Sequence, residues 1–175
     1  MIEGGGIRIR TIKRSELDLV HALGMDYSDA GEYMPVALVS QADFRSEFEK
    51  NGFWRDTCGK LVIENSEDEL VGEIGCFKVA HYMDGRELYY RIYSGHRKKG
   101  YAKEALALFV QFFFESTSLS RLQGVIVQGN EISARMLQHA GFQMEGTLKS
   151  ARWFKGRLVD LDVYSRLRSD WASAS

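Results

Sequence analysis

The segment that most limits what this chain can become is Arg97-Lys98-Lys99-Gly100-Tyr101-Ala102. An apolar-rich run, Leu88 to Tyr93, leads into it, and a helical pattern starting near Tyr101 leads out. A strand that passes through a short basic loop into a helix leaves the first-turn N–H groups without partners, with the positive end of the helix dipole behind them. Such a turn is a seat for an anion. Gly100 lets the backbone approach a phosphate, and Ala102 keeps the first turn free of bulk.

Residue spacing separates the phosphate ligands that such a seat could take. Gly95 and Gly100 have the spacing of the glycines in a nucleotide-triphosphate loop, but Tyr101 and Ala102 stand where that loop needs Lys and Ser or Thr. A dinucleotide fingerprint is excluded as well, because no further glycines follow at its offsets. What the hexapeptide resembles is the acetyl-CoA loop of the GNAT N-acetyltransferases, Arg/Gln-x-x-Gly-x-Gly/Ala, through Arg97, Gly100 and Ala102.

The flanking chain supplies the elements for one α/β domain. Ile7 to Ile12 alternates apolar and polar side chains, as a half-buried strand does. A helix capped by Ser15 runs to about Leu23, then a loop rich in acids and tyrosines holds the single proline, Pro35, and a helix capped by Ser40 runs to Asn51-Gly52. Strands over Lys60–Glu64 and Leu70–Ala80 flank the polar turn Asn65 to Glu69, and a third strand reaches the loop. In the long helix after it, Ala105, Leu108, Phe109, Phe112 and Phe113 recur at helical spacing, and the Phe112-Phe113-Phe114 run is core packing. A short apolar strand, Gln123 to Gln128, a helix from Ile132 to His139 ended by Gly141, and a hairpin of Met144–Phe154 and Leu158–Arg166 complete the order. With 175 residues and no repeat or linker, a single domain over residues 7–171 is expected, with a flexible lead-in at 1–6 and a tail at 172–175.

The resemblance becomes specific at Asn130-Glu131-Ile132-Ser133-Ala134-Arg135-Met136-Leu137-Gln138-His139-Ala140-Gly141-Phe142. This is similar to a second signature of the same family, Asn-x-x-Ser/Ala-x-x-x-Tyr/Leu-x-x-x-Gly-Phe. The tail from Phe142 to Lys149, with Lys155-Gly156-Arg157 and Tyr164-Ser165, resembles the branch that acetylates ribosomal-protein N-termini and spermidine. Two departures stand out. Ser94-Gly95-His96 replaces the Pro-Glu-Tyr common before the loop arginine, and Ala151-Arg152-Trp153 occupies the region where some relatives carry a catalytic glutamate.

The resemblance implies a mixed, mostly antiparallel sheet flanked by helices, in which a parallel pair of strands splays to form a cleft for acetyl-CoA. The main chain at Ile92 and Tyr93 would meet the thioester arm, and the N–H group of Ile92 would polarise its carbonyl. The amides of Arg97, Lys98, Lys99, Gly100, Tyr101 and Ala102 would hold the diphosphate, with Lys98, Lys99 or Lys103 near the ribose phosphate. Asn130 would hold the arm or a water, and Ser133 would deliver a proton to the departing thiolate, with Tyr93 in reserve. Glu73 and Glu87 are the two expected bases, Glu73 because it interrupts the apolar run Val71 to Ile74. For the acceptor, Asp26, Tyr27, Asp29, Glu32, Tyr33 and Trp54 would form an acidic, aromatic lip for a cationic amine.

That amine is open between a peptide or protein N-terminus, a polyamine and an amino sugar or antibiotic. The rival reading is a CoA-binding module without turnover. Other partners are narrowed by composition: a net charge of -1 gives no general attraction to nucleic acid or anionic membrane, and the apolar stretch within Ala105–Phe114 is too short to span a bilayer. The four histidines share no metal-ligand spacing, so no metal is expected. Cys58 and Cys76, without CxxC spacing, fit reduced thiols in a cytoplasmic protein, and the exposed edge of the last hairpin suggests a homodimer.

Overall fold

The computed structural model describes residues 1–34 and 37–173, so Pro35 and the end of the expected tail lie outside the described residues. In chain order the elements are β1 (Ile2–Gly4), β2 (Ile7–Arg10), α1 (Leu17–Met25), α2 (Gln41–Asn51), β3 (Trp54–Arg55), β4 (Cys58–Asn65), β5 (Leu70–Lys78), β6 (Gly85–Ile92), α3 (Tyr101–Ser116), β7 (Arg121–Val127), α4 (Glu131–His139), β8 (Gln143–Phe154), β9 (Arg157–Leu167) and α5 (Arg168–Ala172). The strands form one sheet in the order β1-β2-β4-β5-β6-β7-β9-β8, with β3 paired to β4. Every neighbouring pair is antiparallel except β6 and β7.

Period-2 alternation divides the core between the two faces of the sheet. On β4, Leu61 and Ile63 turn to the face covered by α3, where Phe109, Phe113 and Phe114 are almost fully buried. Burying each phenylalanine contributes about 1.5–3 kcal/mol, so this helix anchors the molecule. Between them, Val62 turns to the other face and packs with Leu17 and Val20 of α1 and Phe44 of α2. Phe112 is half-buried and meets Trp54, with ring centroids 6.3 Å apart.

Several expectations change at the ends of elements. Residues 2–4 are not a loose lead-in: β1 pairs with β2 through Ile2↔Ile9, and Ile2 packs on the core. Ser15 does not cap α1, because it lies inside a 3-10 turn whose Glu16 carboxylate takes the Lys13 amide at 2.9 Å. An unexpected short helix, α5, follows the last strand at the end of the domain, and its Trp171 stacks on Phe114 at 5.6 Å. By contrast Ser40 caps α2 by accepting from the Asp43 amide at 3.0 Å, and Gly52 closes it with φ 64°. The last hairpin turns through Lys155 (φ 47°) and Gly156 (φ 81°), a two-residue turn of the kind that needs positive φ at both positions.

Candidate active site

Where β6 and β7 run parallel they pair only through Gly85↔Arg121, Arg86↔Leu122 and Glu87↔Gln123, and beyond that point they part. The Tyr93 amide donates to Val71 on β5 at 3.0 Å. Main-chain direction alternates along a strand, so Leu88, Tyr90 and Ile92 turn their N–H and C=O groups away from β5, into the gap. At Ile92 the carbonyl is taken by Nε of Arg97 at 2.9 Å, while its N–H group faces the gap beyond the last residues paired with β7. A sheet that opens and leaves its edge unsatisfied is a place for another extended chain to pair.

The far end of the gap is the basic loop. Gly100 stands at the N-terminus of α3 with φ 89°, no side chain caps the helix there, and the space where a Cβ would sit is empty to 4 Å. Lys98 is also left-handed, with φ 63°. Turns of this kind point successive amides into one hollow, an anion nest in front of the helix dipole. A diphosphate fits it. The seat begins one residue later than expected, because the Arg97 amide donates to Ser94 at 3.4 Å. Lys98, Lys99 and Lys103 are exposed around it, and Tyr101 tucks its ring against the core while its amide faces the loop.

Arg97 itself does different work from that expected of it. Its guanidinium donates to the carbonyl of Asp29 and lies 3.5 Å from the Asp29 carboxylate. Asp29 is buried, not part of an exposed lip: its carboxylate also takes Arg91 at 2.8 Å and the Ser94 amide. Burial alone would raise the Asp29 pKa, but the hydrogen bonds from Ser94 and Arg91 outweigh it and hold the carboxyl below its usual range. Asp26 uses its carboxylate to close a turn onto Ser28, at 2.9 Å from that amide. Trp54 lies on the α3 side and is not near the lip, with Phe109 6.4 Å away. Of the remaining lip residues Tyr27 and Glu32 are exposed, and Tyr33 reaches across to Gly129 at the end of β7.

A family model described as an acetyltransferase (GNAT) domain matches residues 7–143. The uncharacterized N-acetyltransferase p20 of Bacillus licheniformis is 30% identical over 176 residues, spanning 93% of this chain and 94% of its own length. This chain belongs to the GNAT acetyltransferase family. It is accordingly an acyl-CoA-dependent N-acetyltransferase. The ribosomal-protein-serine acetyltransferase of Escherichia coli is 26% identical over 108 residues, 62% of this chain and 60% of that protein. A crystal structure of spermidine N-acetyltransferase from Vibrio cholerae in complex with CoA and spermine shares the fold, with TM-score 0.82 and 18% identity over 97% of this chain and 99% of that one.

In this GNAT enzyme the second signature lies on the other wall of the gap. Asn130 caps α4, its side-chain oxygen accepting the Ser133 amide at 3.2 Å, which leaves the amide nitrogen of its side chain for another partner. Ser133 is thereby fixed at the first turn of α4, facing β6. Glu87 stands at the apex of the gap, on the face opposite α3, with Gln123 donating to it at 3.0 Å. Burial raises the Glu87 pKa, against smaller opposing effects of Gln123 and Arg152. Glu73 is opposite Arg91 on the same face, buried, with an oxygen 3.0 Å from Nζ of Lys60. Tyr93 is buried beside Arg91 on that face, away from Ser133, so it does not share the wall expected of a thiolate donor.

Sequence reasoning missed Asp29 as a hub, Arg91 as its partner, and Tyr90 and Gln123 in the gap. Arg91 carried the signal: a cation inside the apolar run Leu88 to Tyr93 needs a buried partner. Among the described residues no group of three metal-ligating side chains comes together, and no helix is long and apolar enough to cross a membrane.

Proposed function

We propose that this enzyme transfers the acetyl group of acetyl-CoA to a primary amine by direct attack in a ternary complex. The observation that carries this is the parting of β6 from β7 after Glu87↔Gln123, which leaves an anion seat at Lys98–Ala102 and the Ile92 N–H group facing the same gap. Acetyl-CoA supplies a thioester whose carbonyl carbon accepts the amine. The Ile92 amide donates to the carbonyl oxygen as charge collects there, and the Lys98–Ala102 amides keep the diphosphate in place.

The base we assign is Glu87. Glu73 has an oxygen 3.0 Å from Nζ of the part-exposed Lys60, an ion pair without full hydrogen-bonding geometry, and it lies against that cation and not along the gap. Glu87 lies five residues before Ile92, about 16 Å of strand. Its side chain, the acceptor and roughly two or three ordered waters would span that distance.

The acceptor we favour is the amine of a peptide or protein N-terminus over a polyamine. A polycation calls for several free carboxylates, yet Asp29 is bound to Arg91 and Arg97, Glu73 to Lys60 and Asp26 to its own turn, so Glu32 is the lip carboxylate left open. Unpaired Cys58 and buried Cys76, whose thiol burial pushes up to about 12, fit a reducing compartment, and we place the enzyme in the cytoplasm. The edge of β8, twelve residues long and mostly exposed, is the surface we assign to a homodimer.

The deciding measurement is thiol release from acetyl-CoA with peptides of free N-terminus, spermidine and an amino sugar. Peptides should turn over fastest. Stabilisation by CoA without thiol release from any amine would make the protein a binding module, and faster turnover of spermidine would overturn the acceptor assignment.

A further inference from the structure

The gap between the parted strands contains a hydroxyl with no part in the chemistry above. Tyr90 is the middle residue of the unpaired stretch of β6, and its ring packs against the core on the α3 face together with Leu88 and Ile92. Its phenol oxygen is buried and, among the described residues, has no partner in full hydrogen-bonding geometry. Across the gap, the side chain within reach of it is Ser133, whose backbone the Asn130 cap holds in place. Ser133 is also the one hydroxyl on α4, since Leu137 one turn on is apolar and buried. A native protein rarely leaves a buried hydroxyl unpaired, because it bears the full cost of desolvation. A buried phenol left short of a full hydrogen bond beside a serine hydroxyl therefore points to that serine as the partner it takes up when the cleft is filled.

We propose that Tyr90 is a positioning residue for acetyl transfer: its phenol donates a hydrogen bond to Oγ of Ser133, which turns the hydrogen of Ser133 towards the sulfur of the thioester. This rests on the acetyltransferase reading. As the amine nitrogen bonds to the carbonyl carbon, the carbon–sulfur bond breaks and its electron pair stays on sulfur. The proton lost by the amine passes through Glu87 to water. Ser133 holds the charge on sulfur by its hydrogen bond until a proton from water completes the thiol, so atoms and charge balance. Tyr90 keeps its own proton throughout, since burial raises its pKa above that of an ordinary phenol. By donating into Oγ it strengthens the serine as a donor.

The sulfur can be tested without turnover by comparing CoA with desulfo-CoA. Calorimetric titration of the wild type should show CoA bound about fivefold more tightly, the size of one hydrogen bond of about 1 kcal/mol. Tyr90→Phe and Ser133→Ala should each abolish that preference while binding desulfo-CoA as before. In steady state Tyr90→Phe should lower kcat about tenfold with acceptor KM unchanged, and the double variant should be no slower than Ser133→Ala alone. A wild type without the preference, a Tyr90→Phe enzyme that retains it or loses affinity for both ligands alike, or losses that multiply in the double variant would each overturn the proposal. Failure of every amine with the wild type would instead overturn the acetyltransferase reading, and the binding comparison would still report on Tyr90.

Discussion

The Tyr33 hydroxyl donates to the carbonyl oxygen of Gly129 at 3.2 Å, tying the segment after α1 to the β7 wall of the cleft. The same segment is tied to the β6 wall by Asp29, through Arg91 and Arg97. It thus bridges the two strands that part beneath it, on the side we assign to the acceptor. Tyr33→Phe removes one hydrogen bond, about 1 kcal/mol. The expected result is an acceptor KM raised about fivefold with CoA affinity unchanged. An unaltered acceptor KM in steady-state kinetics would show that the bridge takes no part in acceptor binding.

The hub at Asp29 makes a pH prediction. Its folded-state pKa is depressed, so its stabilising contribution is present above the unfolded value of about 3.9 and is lost as pH falls through the folded value. Asp29→Asn leaves the Arg91 guanidinium short of its buried counter-charge, which should cost about 3 kcal/mol at pH 7. For a chain of this size that is roughly 6–12 °C in Tm. Thermal melts should show the gap between wild type and variant closing below about pH 4, as the wild-type carboxyl takes up a proton. A constant gap down to pH 2 would mean that Asp29 acts by shape and not by charge.

What was legible beforehand follows from how local the cause is. The turn into α3 at Gly100 and the start of α4 after Asn130 are local constructions of backbone and near neighbours, and both helices begin close to where the sequence pattern starts them. The helix faces are equally local, since the period of Ala105, Phe109 and Phe113 decides which side of α3 is buried. Trp54 and Asp29 were misplaced because their partners are far off in sequence: Trp54 meets Phe109, and Asp29 meets Arg91 and Arg97. β1 was missed for a similar reason. Three glycines in a row signal looseness, while the pairing that orders Ile2 comes from β2. Composition could not show that Tyr33 would bridge to Gly129, since nothing short-range relates residues 96 apart.

Gly100 separates the seat from the glycines near it. A side chain there meets no neighbour, but it would have to adopt φ 89° and would project into the space in front of the amides. Gly100→Val should therefore weaken CoA at least tenfold, with a modest loss of Tm from backbone strain of about 1–2 kcal/mol. Gly95 is equally free of neighbours and has no positive φ, so Gly95→Ala serves as the control and should bind CoA as the wild type does. Equal affinities for CoA in the two variants, read by titration, would remove the diphosphate from this loop.

Glu87 can be separated from Glu73 by the slope of a pH profile. An acceptor amine must lose a proton before it attacks, so log kcat/KM for the acceptor rises with slope one up to the pKa of the amine. If an ionised Glu87 is required as well, the slope becomes two below the Glu87 pKa, which burial has raised above the ordinary value for a glutamate. Glu87→Gln should then follow slope one throughout, with kcat reduced about 10²-fold, within the usual range for a general base. Glu73→Gln should keep the break and lose stability in its place, because Lys60 is left facing an uncharged amide. A break that persists in Glu87→Gln and vanishes in Glu73→Gln would transfer the base to Glu73, and the water path along β6 would no longer be needed.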